Sequence, residues 1–233
     1  MPLFTHDSFV LVKTTLLDFP GRVAAAIFLP GCHLCCPYCH NPELARPSPD
    51  NHFGTSVKQF QDFLALRAPR LGGVAISGGE PLLNPLLPEL IHIIKNQGLA
   101  IKIDTAGLLP ERLKTLLMNQ SVDYVAMDLK TLPENYPQLG WEKNNAKEKL
   151  RQSLELLKSW GGDFELRTTV APPLVDKTIL EKLIPWTNDV SRWVWQVYHP
   201  GITLHPDWGN IEAPDESVLN TWAKELQVDV LIR

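Results

Sequence analysis

Apolar residues along the chain alternate between short continuous runs and stripes that recur every three to four positions. Short runs bounded by glycine, proline or polar residues are typical of buried strands, whereas the longer period is typical of one face of a helix. An extended opening with a turn at Pro20-Gly21 comes first. Six strands are then predicted, at residues 23–29, 73–77, 99–104, 123–128, 164–170 and 193–198.

Helical stripes fall between these strands. One stripe contains Val57, Phe60 and Leu64, and a later one contains Leu150, Leu154 and Leu157. Another helix is predicted to begin with Asn84 as N-cap and Pro85 at its first position and to close at Gly98, and the last covers residues 215–226. Repeated strand–helix units predict an α/β fold with a parallel sheet and right-handed crossovers. We expect residues 1–233 to form a single domain.

Composition and charge narrow the class of protein. With 44% hydrophobic residues the chain can bury a sizeable core, and a net charge of −4 offers no basic face for nucleic acid. No apolar stretch approaches the roughly 20 residues of a membrane helix, and no secretory signal opens the chain. We therefore expect a cytoplasmic protein with neither a nucleic-acid nor a membrane partner.

Polar residues and glycines collect where the predicted strands end. In parallel α/β folds this edge gathers ligands and chemistry from distant parts of the sequence. The residues in this position are Cys32, Gly78, Gly79, Glu80, Asp104, Asp128, Lys130 and Arg167. Plain structural roles are open for several of them: Asp104 as a turn residue, Asp128 with Lys130 as an ion pair, and Arg167 paired with Glu165.

All four cysteines of the chain lie within eight residues, at Cys32, Cys35, Cys36 and Cys39. In a reducing compartment such a cluster is typical of metal or redox chemistry and not of disulfides. The four thiolates are compatible with a structural zinc ion or with a 4Fe–4S cluster for electron transfer. Alternatively, only Cys32, Cys36 and Cys39 are ligands, which leaves one iron of a 4Fe–4S cluster open for a substrate.

Five segments together resemble a known family. They are KTTLLDFPGRVAAAIFLPGCHLCCPYCHNPEL, AISGGEPLL, IKIDTAG, DYVAMDLK and FELRTTVAPPL, in order between residues 13 and 174. This set is similar to the radical S-adenosylmethionine enzymes. In particular it resembles the activating enzymes of glycyl radical enzymes, and among these the activase of anaerobic ribonucleoside-triphosphate reductase. The resemblance implies a partial (β/α)6 barrel with the cysteine loop after its first strand.

The resemblance also implies a set of site residues. One 4Fe–4S cluster would be bound by Cys32, Cys36 and Cys39, and Cys35 would not be a ligand. Gly78, Gly79 and Glu80 would line the amino group of S-adenosylmethionine, where glycines permit a close backbone approach and the carboxylate attracts an ammonium. The remaining contacts implied are Tyr38 near the adenine, Asp104, Thr105 and Asp128 around the cofactor or a monovalent cation beside its carboxylate, and Lys130 and His199 as further cofactor contacts.

The implied function is an oxidoreductase that reductively cleaves S-adenosylmethionine to a 5′-deoxyadenosyl radical and generates a glycyl radical on a partner enzyme. The family implies a flavodoxin or a ferredoxin as electron donor. Two alternatives remain open at this point. One is a radical enzyme that acts on a small molecule, of the 7-carboxy-7-deazaguanine synthase type. The other is a non-catalytic iron–sulfur or zinc binding module.

Overall fold

A computed structural model of the chain describes residues 7–48 and 50–233. Within these residues the strands are β1 Ser8–Thr15, β2 Ala24–Leu29, β3 Thr55–Ser56, β4 Gly73–Gly78, β5 Ala100–Thr105, β6 Tyr124–Asp128, β7 Asp163–Val170, β8 Trp193–Val197 and β9 Leu231–Ile232. The α-helices are α1 Pro42–Ala45, α2 Val57–Arg67, α3 Leu87–Asn96, α4 Pro110–Met118, α5 Ala146–Trp160, α6 Lys177–Leu183 and α7 Glu216–Leu226. Short 3-10 helices cover Ala68–Arg70, Pro81–Leu83, Pro133–Leu139, Ile184–Trp186 and Pro206–Asn210.

The chain packs as two compact units. The first comprises the described residues up to His33 together with Asn41–Thr105 and Glu111–Val125, and the second comprises Leu34–His40, Ala106–Pro110 and Ala126–Arg233.

The first unit contains the strand order β3-β1-β2-β4-β5. β1 runs antiparallel to β2, whereas β2, β4 and β5 are parallel to one another. The register places Ala26 beside Ala75 and Ala75 beside Lys102 across the three parallel strands. The aliphatic residues of these strands form a buried core with Phe60 of α2. Parallel strands bring their carboxyl ends to one edge of the sheet, where the residues predicted to be functional begin.

The second unit contains the strand order β6-β7-β8-β9. β7, β8 and β9 are parallel to one another. Helix α5 buries Leu150, Leu154 and Leu157, the stripe that predicts it, and is followed by Gly161 as C-cap in the left-handed conformation. No helix in residues 7–48 and 50–233 combines the length and the apolar character needed to cross a bilayer.

All six predicted strands are present, as β2 and β4 to β8, and the extended opening is β1. One boundary was predicted wrongly, because helix α3 begins at Leu87 and not at Pro85. The Asn84 side chain instead accepts a hydrogen bond from the Leu86 N–H at 2.9 Å and donates one to the Pro30 carbonyl at 3.2 Å. This pair of bonds makes a turn where the sequence suggested a first helical turn.

Candidate iron–sulfur and cofactor site

The cysteine loop begins in the first unit with a firmly bonded backbone. The Gly31 N–H donates to the Leu44 carbonyl at 2.7 Å, and the Arg46 guanidinium donates to the Cys32 carbonyl at 2.6 Å. Leu44 and Arg46 follow the cysteines in sequence. The segment after the cysteines therefore forms hydrogen bonds with the start of the loop at Gly31 and Cys32. No feature of the sequence singled out Arg46.

Gly78 and Gly79 pack against the backbone that leads into the loop. A Cβ atom on Gly78 would lie 2.4 Å from the Leu29 nitrogen, and one on Gly79 would lie 2.1 Å from the Gly31 carbonyl oxygen. The Gly79 N–H donates to the Leu29 carbonyl at 2.8 Å. Gly78 also has a φ of +111°, which side chains rarely adopt. The protein's own backbone therefore requires both glycines, whatever they contact in addition.

Glu80 is a buried carboxylate with a fixed position, only 1% exposed. Its Oε1 accepts hydrogen bonds from the Thr105 hydroxyl at 2.9 Å and from the Leu82 N–H at 3.2 Å. The Glu80 N–H donates to the Gly31 carbonyl at 2.8 Å. Two residues predicted separately as cofactor contacts, Glu80 and Thr105, are thus brought together, and the Thr105 hydroxyl donates to the carboxylate.

Asp104, the last but one residue of β5, has partners for both of its carboxylate oxygens. Oδ1 forms an ion pair with the Lys102 ammonium, and Oδ2 accepts a hydrogen bond from the Ser77 hydroxyl at 2.9 Å. The Lys102 side chain is only 2% exposed. Sequence reasoning missed Lys102, although its position two residues before Asp104 on a strand puts both side chains on one face.

The rest of the cysteine loop belongs to the second unit. The Cys35 N–H donates to the Leu139 carbonyl at 2.6 Å, and a Cβ atom on Gly140 would lie 3.0 Å from the Cys35 Sγ. Cys36 is buried, and this burial raises the pKa of its thiol to about 11, even though the nearby Lys130 ammonium lowers it. None of the four cysteines, all of which lie among the described residues, forms a disulfide.

A second contact anchors the loop to the segment after β8. The Leu204 N–H donates to the Cys39 carbonyl at 2.9 Å, and the His205 N–H donates to the Pro37 carbonyl at 3.0 Å. Because these bonds use backbone atoms, the sequence gives no sign of them.

Aromatic rings surround Tyr38 in the same unit. Its ring lies 6.4 Å from that of Tyr198 and 5.9 Å from that of Trp208, and His40 stacks on Tyr198 at 5.5 Å. The Tyr38 hydroxyl is buried and has no hydrogen-bond partner among residues 7–48 and 50–233. His199, the predicted further contact, is exposed just beyond β8.

Asp128 binds two cationic side chains. Its Oδ1 accepts from the Arg167 Nε at 2.8 Å, and its Oδ2 lies 3.2 Å from the Lys130 ammonium. Burial alone would raise the pKa of Asp128, but Arg167 and Lys130 outweigh it and hold this pKa well below its ordinary value. Arg167 thus has Asp128 as an ion-pair partner, and Glu165 lies 3.4 Å from the Arg233 guanidinium.

The donor chemistry fits the two cofactors that the sequence implies. Cysteine thiols that form no disulfide, one of them buried, are the ligands that iron–sulfur clusters use, and the buried carboxylate of Glu80 suits an ammonium group. In residues 7–48 and 50–233 no three histidine, cysteine or acidic side chains are arranged to hold a metal ion. Ligation by Cys32, Cys36 and Cys39 therefore stays a prediction from their spacing.

Comparisons with known proteins agree with the resemblance. Residues 26–183 match the model of the radical SAM superfamily. A Methanocaldococcus jannaschii protein, assigned by its name to the glycyl-radical enzyme activating enzymes, is 30% identical over 219 residues, covering 92% of this chain and 89% of the relative. The pyruvate formate-lyase-activating enzyme of Clostridium pasteurianum is 30% identical over 166 residues, covering 69% and 67%.

A solved structure shows the same fold. Streptococcus suis SuiB bound to S-adenosylmethionine matches with a TM-score of 0.62 at 15% identity, over 89% of this chain and 51% of SuiB, so the chain spans about half of that protein. The predicted α/β fold class is thereby confirmed, whereas the finer likeness to the activase of anaerobic ribonucleoside-triphosphate reductase stays a prediction. The chain therefore belongs to the radical SAM superfamily, and within it to the glycyl-radical enzyme activating enzymes, whose cofactors are a 4Fe–4S cluster and S-adenosylmethionine.

Proposed function

We propose that this chain reductively cleaves S-adenosylmethionine and generates a glycyl radical on a partner enzyme, anaerobic ribonucleoside-triphosphate reductase. The observation that carries the proposal is the similarity of nearly the whole chain to a relative named for activating glycyl-radical enzymes. The partner itself is inferred from the likeness of the five segments between residues 13 and 174.

The cysteine loop has the first role in this proposal. Cys32, Cys36 and Cys39 hold the cluster through three thiolates, and Cys35 supports the loop by its backbone bond to Leu139. When bound, the reduced cluster and S-adenosylmethionine together supply the radical that takes a hydrogen atom from the glycine of the partner. The whole of residues 1–233 acts as one radical SAM domain in the cytoplasm, with a flavodoxin or ferredoxin as electron donor.

The strand ends have the second role, which is to bind and orient S-adenosylmethionine. Glu80, held by Thr105, accepts hydrogen bonds from the amino group of the cofactor, and Gly78 and Gly79 bring the backbone beside it. The other contacts we propose are Tyr38, Asp104, Asp128, Lys130 and His199. A fixed carboxylate orients the cofactor without further ordering when it binds, which lowers the entropic cost of a reactive arrangement.

Radical transfer to the partner tests the function. Protein reconstituted anaerobically with iron and sulfide, then reduced, is mixed with S-adenosylmethionine and anaerobic ribonucleoside-triphosphate reductase. We expect a doublet signal of a protein-centred radical in electron paramagnetic resonance, and an equal amount of 5′-deoxyadenosine. The matched controls are Cys36→Ser, which should lose the cluster and all signal, and Cys35→Ser, which should keep both.

Two results would contradict the proposal. Loss of the cluster in Cys35→Ser would replace the three-ligand site with a four-cysteine electron-transfer site. Consumption of the radical by a small molecule, while no glycyl radical enzyme acquires a signal, would make the chain a radical enzyme of the small-molecule type.

Glu80 can be tested without a partner. Replacing Glu80 with Gln keeps its size but removes the charge that attracts the amino group, so we expect S-adenosylmethionine binding to weaken by about 1.5–3 kcal/mol. Iron content and the visible spectrum of the cluster should not change. Isothermal titration of both proteins measures the loss, and equal affinities would reduce Glu80 to a structural role.

A further inference from the structure

Lys102 is a charged residue in a position where strands normally carry apolar side chains. It lies in the middle of β5, flanked by Ile101 and Ile103, which are both fully buried. The lysine side chain is itself only 2% exposed, and its ammonium forms an ion pair with Asp104, whose side chain is 15% exposed. Lys102 therefore carries a buried positive charge at the predicted cofactor edge.

The neighbouring strands leave room for this side chain. The residues beside Lys102 in the parallel register are Ala75 and, one strand further, Ala26, and both are buried. Because neighbours in a parallel register share one face of the sheet, a long side chain on β5 lies beside two of the smallest side chains. The Ser77 hydroxyl, two residues after Ala75, holds the other oxygen of Asp104 at 2.9 Å.

Burying a charge in this way needs a reason. Removal of a lysine and a carboxylate from water costs several kcal/mol for each ion, and apolar residues of similar volume usually stabilise a core at least as well as the pair does. Methionine or leucine beside Ala75 would fill the space without that cost. The positive charge is therefore explained better by what it does for Asp104 than by packing.

We propose that the Lys102 ammonium takes the place of the monovalent cation that the family resemblance assigns to Asp104 and Thr105. Lys102 is then a positioning residue, which supplies the counter-charge of Asp104 from within the chain. The consequence is that this protein binds S-adenosylmethionine without a monovalent metal ion. The inference rests on the proposed function only in assigning S-adenosylmethionine to this edge.

The other carboxylate assigned to the same cation supports the inference. Asp128 binds the Arg167 guanidinium at 2.8 Å and the Lys130 ammonium at 3.2 Å. Each of the two carboxylates thus has side-chain cations of its own unit as ion-pair partners. A metal cation at either carboxylate would have to compete with a side-chain charge of the same chain. Because that charge is covalently attached, its local concentration beside the carboxylate is fixed.

Cation replacement tests the inference on the cluster-loaded protein. S-adenosylmethionine affinity is measured by isothermal titration in potassium, sodium and tetramethylammonium chloride at equal ionic strength. For the wild-type protein we expect the three affinities to agree within about twofold. In Lys102→Met, affinity in tetramethylammonium should fall about tenfold or more, the loss expected for one charged hydrogen bond, and potassium should restore part of it. Lys102→Arg, which keeps the charge, should behave like wild type.

Rubidium provides a direct readout that needs neither cofactor nor partner. Crystals soaked in rubidium chloride should show no anomalous peak beside Asp104 in the wild-type protein and one such peak in Lys102→Met. The matched control is Lys95→Met, which breaks a surface lysine–aspartate pair of 2.7 Å with Asp123 and should leave affinity and cation response unchanged.

Several outcomes would overturn the inference. They are a wild-type affinity that depends on potassium, a rubidium peak beside Asp104 in the wild-type protein, and a folded Lys102→Met whose lost affinity does not respond to potassium. If Lys102→Met does not fold, the two wild-type measurements still decide. A cation-independent protein that activates no glycyl radical enzyme would refute the proposed function and leave this inference intact. A protein that did not bind S-adenosylmethionine would refute both the proposed function and the cation-independent binding inferred here.

Discussion

Two lysine–aspartate pairs in this molecule have the same spacing and different surroundings. Lys102 precedes Asp104 by two residues on β5, and Lys130 follows Asp128 by two residues at the end of β6. The first lysine side chain is 2% exposed and its carboxylate also accepts from the neutral Ser77. The second is 19% exposed, and its carboxylate is shared with a second cation, Arg167.

The difference shows what a two-residue spacing determines. On a strand it places both side chains on one face, which is enough to suggest an ion pair. The number of charges around the carboxylate, and the access of water to it, come from neighbouring strands. Asp104 forms an ion pair with Lys102, whereas Asp128 forms ion pairs with both Arg167 and Lys130, a group of three side chains with a net charge of +1.

The largest effect is expected from neutralising Asp104. Asp104→Asn leaves the buried Lys102 ammonium without its ion pair, so we expect the free energy of unfolding to fall by about 3–5 kcal/mol. Urea unfolding of the cluster-free protein, followed by circular dichroism, measures the change.

A double variant gives the control for that prediction. Asp104→Asn combined with Lys102→Met removes both charges and should be more stable than Asp104→Asn alone, because replacing a whole buried ion pair is often neutral. A double variant less stable than the single one would show that the charge of Lys102 is not the cause.

The effects of removing the two cations that bind Asp128 should not be additive. In Arg167→Met or Lys130→Met the carboxylate keeps one cation, but in the double variant it keeps neither of the two. We therefore expect the double variant to lose more free energy of unfolding than the sum of the single losses, by about 0.5–3 kcal/mol. The same urea experiment on wild type, the two single variants and the double variant measures the coupling free energy between Arg167 and Lys130. Strict additivity would mean that the two cations act on Asp128 independently.

A smaller effect is expected from acid, which should reduce the difference in free energy of unfolding between wild type and Asp128→Asn. The lowered pKa of Asp128 stabilises the folded protein above the ordinary aspartate pKa, and this contribution is lost as the pH falls toward the folded-state value. Between pH 5 and pH 3 the stability advantage of wild type over Asp128→Asn should shrink by about 1 kcal/mol. Urea midpoints at several pH values follow it, and a constant difference would contradict the lowered pKa.

The smallest effect is expected at the surface. Lys95 and Asp123 form a lysine–aspartate pair of 2.7 Å, but both side chains are about one third to two fifths exposed. Water and salt screen such a pair, so Lys95→Met should change the free energy of unfolding by only about 0–1 kcal/mol. A loss as large as that of Asp104→Asn would remove burial as the explanation of the difference between the pairs.

The strands could be predicted from the sequence because burial on both faces requires continuous apolar runs. The start of α3 could not, because Pro85 favours a first helical turn while the distant Pro30 carbonyl binds Asn84 and holds a different turn. The family and its cofactors could be predicted from the five segments, since these keep their order and their polar residues at strand ends.

The partners of single charged residues could not be predicted in the same way. The spacing of Glu165 and Arg167 on one strand suggests that they form an ion pair. In the structure Arg167 binds Asp128 of another strand, and Glu165 lies beside Arg233. Lys102 was missed because lysine is rarely buried, and its burial depends on Ala75 beside it and on Asp104. The glycines after Ser77 were expected for cofactor approach, whereas the backbone of Leu29 and Gly31 already requires them.

The backbone bonds of the cysteine loop set an order of events during synthesis of the chain. Cys35 is bonded to Leu139, Cys39 to Leu204 and Pro37 to His205, so partners of the loop are made about 100 to 170 residues after it. At a translation rate of about 5–20 residues per second, the cysteines wait roughly 10–30 s before their last partner exists. During that interval the thiols lie on a nascent chain that cannot yet hold them in place. The stretch from Cys35 to Cys39 therefore gains its last backbone partners late in synthesis, well after Leu44 and Arg46 can bind the start of the loop.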